Sequence, residues 1–242
     1  MEVTNAPMKC AVKIQHSQKD VSQLTELIDI SYVGIQSRKK GEVQWREIHK
    51  TVYYGVSSLD FVFFDYAVSS HQTYEYRNFI HFKSNDEPAY GSVTEIRAEF
   101  SGFLIADENN GYISIADPKC TYQRDFNVAF VKPYNSKYPH VIRNGEANSC
   151  SGSFEGVFNM LNDDCQFDKG YAEFEDEIVE FLSRPTSKVF KTHDGHIWYV
   201  HINTPIKKLD ETLDGFIKLQ FTWNEIGDLP ENMNQMIARA MK

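Results

Sequence analysis

The chain has 242 residues with 25 basic and 34 acidic side chains, and the acid excess is uneven: residues 1–100 hold 11 basic and 13 acidic groups, the remainder 14 and 21. Phosphate backbones attract proteins through Lys and Arg, so a net charge of −9 offers no electrostatic footprint for nucleic acid. The length allows one large domain or two ordinary ones, and the aromatic content of 14% with its many period-two runs favours two.

In chain order, Met8–Gln15 reads as a first strand. Leu24, Glu26, Ile28, Ile30 and Tyr32 alternate with polar or small neighbours and predict a second, with a short helix from Asp20 and Val21 as the competing reading. A basic turn at Ser37–Gly41 precedes a strand over Val43–His49 that carries Trp45, then an apolar strand over Asp60–Val68. Along Tyr74–Phe82 the side chains of Tyr74, Tyr76, Asn78, Ile80 and Phe82 share one face. Short strands broken by turn residues predict a sandwich. Ser84–Gly91 reads as a linker with a boundary near Tyr90, and Val93–Phe100 is equally able to close the first sandwich.

Phe103–Ile105 and Tyr112–Ile115 flank a turn at Glu108–Gly111 and predict a hairpin. Phe126–Val131 is a further strand, Pro133–Pro139 a loop, and Val141–Ile142 and Ser153–Met160 are short extended pieces. Phe174, Ile178, Phe181 and Leu182 put an apolar stripe on a helix that Pro185 ends. Lys188–His193 and His196–Ile202 are predicted strands joined by Asp194-Gly195, a pair suited to a two-residue type I′ turn. In Phe216–Glu225 the positions of Ile217, Leu219, Phe221 and Trp223 alternate with more polar neighbours, so one face is buried.

Trp45, Phe64-Asp65-Tyr66-Ala67-Val68 and Thr73-Tyr74-Glu75-Tyr76-Arg77 resemble fibronectin type III or immunoglobulin-like modules, in which Trp45 would be the core anchor. A longer ordered match follows: Lys137-Tyr138-Pro139, Gly145, Ser151-Gly152-Ser153, Phe181-Leu182, Lys188-Val189-Phe190-Lys191, Asp194-Gly195-His196-Ile197-Trp198 and Phe221 to Asp228. Together these resemble minor structural proteins of tailed bacteriophages, and more distantly their distal tail proteins. Arg184-Pro185-Thr186 departs from the glycine-containing turn of that pattern. The resemblance implies a mainly β fold: an immunoglobulin- or fibronectin-like sandwich over residues 1–90, a barrel-like assembly domain with one short packed helix over 91–230, and a C-terminal tail, 231–242. It implies a virion protein of the tail, made in the host bacterial cytoplasm. Its partners would be copies of itself in a ring and other tail proteins such as the tube, hub, fibre or receptor-binding proteins.

The chemistry-bearing residues give no arrangement that points to catalysis. His193 and His196 flank the predicted hairpin turn at metal-compatible spacing, but a third ligand is missing and His201 falls on the opposite face. Asp164, Gln166, Asp168 and Glu175 take positions one, three, five and twelve of a calcium loop, yet Lys169 occupies the position that needs glycine. The nine carboxylates between Glu155 and Glu180 read as a solvated acidic face, or as a surface that meets basic groups on a neighbour. Gly152-Ser153-Phe154-Glu155-Gly156 lacks the central serine of a nucleophile elbow, and an acid pair such as Asp163-Asp164 gives no geometry for glycoside hydrolysis. Trp45, Trp198 and Trp223 lie in strand patterns and are expected in the core. Cys10, Cys120, Cys150 and Cys165 are scattered without a C-x-x-C and are expected as reduced core thiols. Met1–Lys9 lacks a signal-peptide pattern and no apolar run reaches bilayer length, so neither secretion nor membrane insertion is expected. The expected function is therefore assembly without catalysis, cofactor or metal. A carbohydrate- or host-surface-binding module at the tail tip, using the sandwich or the loops from Asn135 to Gly152, is the alternative.

Overall fold

The computed structural model describes residues 1–22, 30–84, 87–159, 171–209 and 216–241. Its first half contains β1 (Glu2–Ala6), β2 (Ala11–His16), α1 (Gln18–Ser22), β3 (Ile30–Lys39), β4 (Arg46–Val52), β5 (Phe61–Asp65), β6 (Thr73–Phe82), β7 (Ala89–Tyr90) and β8 (Thr94–Arg97). The second half contains β9 (Phe103–Ala106), β10 (Gly111–Val131), β11 (His140–Asn159), α2 (Tyr171–Ser183), β12 (Lys188–Lys191), β13 (Ile197–Leu209), β14 (Phe216–Gly227) and α3 (Met233–Ala240). The fold is mainly β.

Strands β1, β2 and β5 form one antiparallel sheet, and β4, β3, β6 and β7 a second, with β8 also paired to β6. The Val93–Phe100 segment thus adds Thr94–Arg97 to the sheet of the first half. The two sheets share a core in which Ile14 and Phe63 meet Ile35 and Tyr76. That core also takes in Leu104 and Val189 from the second half and Met233, Met236 and Ile237 from α3. Strands β10, β11, β14, β13, β12 and β9 close a barrel.

The alternation of β14 is realised in full, with Ile217, Leu219, Phe221 and Trp223 all buried. They join Phe154, Phe190 and Trp198 in a second core, and α2 lays its stripe of Phe174, Ile178, Phe181 and Leu182 on the same cluster. Removing a side chain of this size from water contributes roughly 1.5–3 kcal/mol, so the aromatic ladder inside the barrel is its main cohesive element. The buried ammonium of Lys188 donates to the carbonyls of Arg184 (3.1 Å) and Thr186 (2.9 Å) just past the end of α2, where the chain turns at Pro185.

Local differences from the sequence expectation have clear causes. The first-strand segment is split: Pro7–Lys9 forms a 3-10 turn and Cys10 takes a left-handed φ of 51°, so β2 begins at Ala11. Strand β3 runs on through Lys39, and the turn falls at Lys40–Glu42, closed by the Glu42 N–H on the Lys39 carbonyl. The strand expected over Val43–His49 begins at Arg46, leaving Trp45 outside it, and that over Asp60–Val68 is confined to Phe61–Asp65. Asp20 and Val21 lie in α1, while Leu24, Glu26 and Ile28 fall outside the described residues.

The β12–β13 turn is not a two-residue type I′. The N–H of Gly195 donates to the Thr192 carbonyl and the N–H of Thr192 to the His196 carbonyl, which makes a three-residue loop of His193, Asp194 and Gly195. Among these only Gly195 has a positive φ, +96°, whereas type I′ needs two such residues; a turn with a left-handed glycine after it is the arrangement formed.

Candidate assembly surface

The site grows out of the β10–β11 pairing. The two strands pair from the barrel outward to Val131 and His140. Strand β14 covers β11 only over Ser151–Asn159, and β9 covers β10 only over Gly111–Ser114. Beyond Gln123 and Ser151 the ribbon is therefore two-stranded among the described residues, an arm to whose outer edges no further strand pairs. Phe126–Val131 and Val141–Ile142, expected as separate short strands, are its two sides, and β11 joins the second of these to Ser153 in one continuous strand.

Phe130 lies opposite Val141, and Ala129 opposite Ile142. Directly opposed residues share a face, so each face of the arm carries apolar side chains. Phe130 is 69% exposed, Val141 63% and Tyr138 69%, while Tyr134 in the connecting turn is fully exposed. Val128, Val131 and Ile142 are exposed as well. Contiguous apolar surface of this kind marks interaction sites.

The root of the arm is fixed to the barrel. Tyr122 packs against the rings of His196 (5.0 Å) and Trp198 (5.1 Å), and its hydroxyl lies 2.9 Å from His196 Nε2. On the other strand the N–H of Cys150 donates to a Glu225 carboxylate oxygen at 2.7 Å. Beside this root the outer barrel wall holds a trough of about 420 Å³. Its walls are neutral and bond one another: Thr121 with Ser153 (2.8 Å), and Asn203 with Thr222 (3.3 Å) and Asn224 (3.1 Å).

The residues weighed for chemistry disperse. The His193 ring tilts on Phe103 at 5.3 Å, whereas the His196 ring stacks on Trp198 at 5.1 Å, so the two histidines do not face each other. His201 pairs across β13–β14 with Asn224 on the outer wall. No group of three or more His, Cys, Asp or Glu suited to a metal occurs among the described residues. Asp163, Asp164, Gln166 and Asp168 fall outside them, and Glu175 bonds Lys208 at 2.6 Å. Gly152–Gly156 is plain barrel strand, with Phe154 in the core and Glu155 reaching Lys119 (3.5 Å) and Lys218 (3.2 Å).

Of the three tryptophans, Trp198 and Trp223 are core and Trp45 is not. Trp45 is half-exposed, held between the guanidinium groups of Arg38 (4.4 Å) and Arg77 (4.2 Å). The position expected of a sandwich anchor is thus a surface cation–π stack.

One buried charge went unanticipated. Lys191, fully buried on β12, donates to the carbonyls of Cys10 (2.6 Å) and Tyr66 (2.7 Å) and sits over the Phe100 ring. Burial pulls its ammonium down to about 8, with the nearby Cys10 thiol and Asp65 carboxyl offsetting part of the fall. The same burial raises Asp65, against the pull of hydrogen bonds from the Ala67 N–H, the Tyr76 hydroxyl and the Asn234 amide, and pushes the Cys10 thiol up to about 11.

No protein-family model matches the chain, and no curated protein matches it. Among solved structures, a chain in the virion of a native gene transfer agent particle overlaps at a TM-score of 0.31 and 14% identity, over 52% of this chain and 92% of that one. A chain in the tail of an empty gene transfer agent particle, solved with C6 helical symmetry, overlaps at 0.29 and 13%, over 48% and 81%. At these TM-scores the overlap does not establish a common fold.

Proposed function

We propose that this chain is a structural component of a tailed-bacteriophage virion, a distal tail or baseplate ring or adaptor protein that works by protein–protein assembly. In this reading residues 1–90, joined by β8 from the next segment, form a fibronectin-like unit, the rest of 91–230 the assembly unit, and 231–242 a C-terminal tail whose α3 packs on the first core. The chain acts without turning over a substrate, in contact with further copies of itself and with other tail proteins, after synthesis in the host cytoplasm. The observation that carries the reading is the arm. A ribbon with apolar side chains on both faces and open backbone edges is stable in water only when something covers it. The ordered sequence resemblance to phage minor structural proteins supports a tail as that assembly. Native mass spectrometry and negative-stain imaging of the purified chain test it: a closed ring, or incorporation into tail particles, is expected. A strictly monomeric species that never joins such particles overturns it.

The trough beside the arm favours a second reading, a module for neutral carbohydrate at the tail tip, since hydroxyl and amide walls match a polyhydroxylated ligand. Glycan-array binding that Asn203→Ala abolishes would establish it, and an array at background removes it.

A further inference from the structure

We propose that the arm docks on the α2 helix of a second copy of this chain. The inference rests on the assembly role proposed above and names the contact. The arm needs cover on both faces, because an isolated two-stranded hairpin is marginal in water and this one exposes Phe130 and Val141 on one side and Val131 and Ile142 on the other. Its charge says what kind of surface supplies the cover. Residues 124–143 contain four of the 25 basic and one of the 34 acidic side chains, a net +3, which leaves −12 on the rest of the chain. Exposed Lys132 and Lys137 stand on either side of the turn at the arm's end. A second copy therefore presents a surface opposite in sign to the arm.

Within that surface α2 is the match. Residues 171–183 contain five carboxylates and no basic side chain. Glu175 is engaged by Lys208 and Glu177 by the Tyr112 hydroxyl (2.7 Å), both within the chain. Glu173, Asp176 and Glu180 are exposed at i, i+3 and i+7, one face of the helix, with Glu180 bonded to Arg184 at its edge. Three carboxylates along ~10 Å of helix give the arm's lysines a charged strip, while the apolar faces of the ribbon are enclosed between the copies. Complementary charge of this kind sets register and orientation more than it adds affinity.

Charge reversal tests the contact in the full chain, with circular dichroism as a check on folding. Lys132→Glu with Lys137→Glu, and separately Glu173→Lys with Asp176→Lys and Glu180→Lys, should each weaken self-association about tenfold at low salt. Carrying both sets in one chain should restore it. Association unchanged by either set, or not restored by the combination, overturns the α2 contact while leaving the assembly role standing. A native chain that stays monomeric yet joins tail particles overturns the α2 contact alone, and one that stays monomeric and never joins them overturns the assembly role itself. A monomer that instead binds vesicles of anionic phospholipid assigns the arm to a lipid surface and also overturns the proposal.

Discussion

The same two strands build the barrel wall and the arm, and they meet opposite conditions in each. Over Ser151–Asn159, β11 is hydrogen-bonded on both sides and sends Phe154 and Phe158 into the core. Over His140–Arg143 and again at Asn148 and Ser149 it has a strand partner on one side, with a bulge between, and Val141 and Ile142 face outward. The wall has a strand on each side of β11; the arm has one on a single side among the described residues. Stability and assembly should therefore respond to different residues, and substitutions can pull the two apart.

The largest effect belongs to the wall. Trp223→Ala deletes a fully buried ring that packs on Trp198 at 4.8 Å and Phe190 at 5.6 Å. A loss of about 3–5 kcal/mol is expected in a urea titration, with assembly lost only because folding is. Lys191 comes next. Its ammonium is held low in the folded chain, so the cost of burying the charge is fully present below about pH 8 and is relieved as pH rises toward 10.5, where the unfolded lysine also loses its proton. Relative to Lys191→Met, the native chain should gain on the order of 3 kcal/mol across that window. Parallel pH profiles of the two proteins would remove the account of this site. Trp45→Ala should cost about 1 kcal/mol, since it removes a half-buried ring that two guanidinium groups contact. Smallest in stability is Phe130→Ser on the arm, within about 0.5 kcal/mol of the native chain, yet it should abolish the oligomer in sedimentation. An arm variant that unfolds the protein, or a destabilised wall variant that still assembles normally, would erase the distinction.

The sequence carried the wall well and the arm badly, for one reason. Where a single face is buried, as in β14 or along α2, periodicity marks the buried residues directly. On the arm both faces are apolar, so Phe126–Val131 shows no alternation, and Pro133 and Pro139 made its end look like an ordinary loop. Its meaning depends on which strands fail to pair with it, and that is a property of the whole sheet. Trp45 misled similarly: its strand context suggested a core anchor, while Arg38 and Arg77 reach it across β3 and β6. Nothing local to Lys191, at the end of a short strand, marks it as buried. Its carbonyl partners lie 181 and 125 residues away, beyond any local pattern.

One property of the arm bears on how such a chain is handled in the cell. The hexapeptide Phe126-Asn127-Val128-Ala129-Phe130-Val131 has no charge, no proline and no glycine, and it lies on an open strand edge. Segments of this composition stack into cross-β fibrils when many copies meet. Arg124 and Asp125 before it, and Lys132 and Pro133 after it, are the kind of flanking residues that slow such stacking. Under the proposed assembly role, a chain overproduced ahead of its partners would be expected to accumulate as thioflavin-positive deposits, and the relative timing of synthesis becomes part of its chemistry.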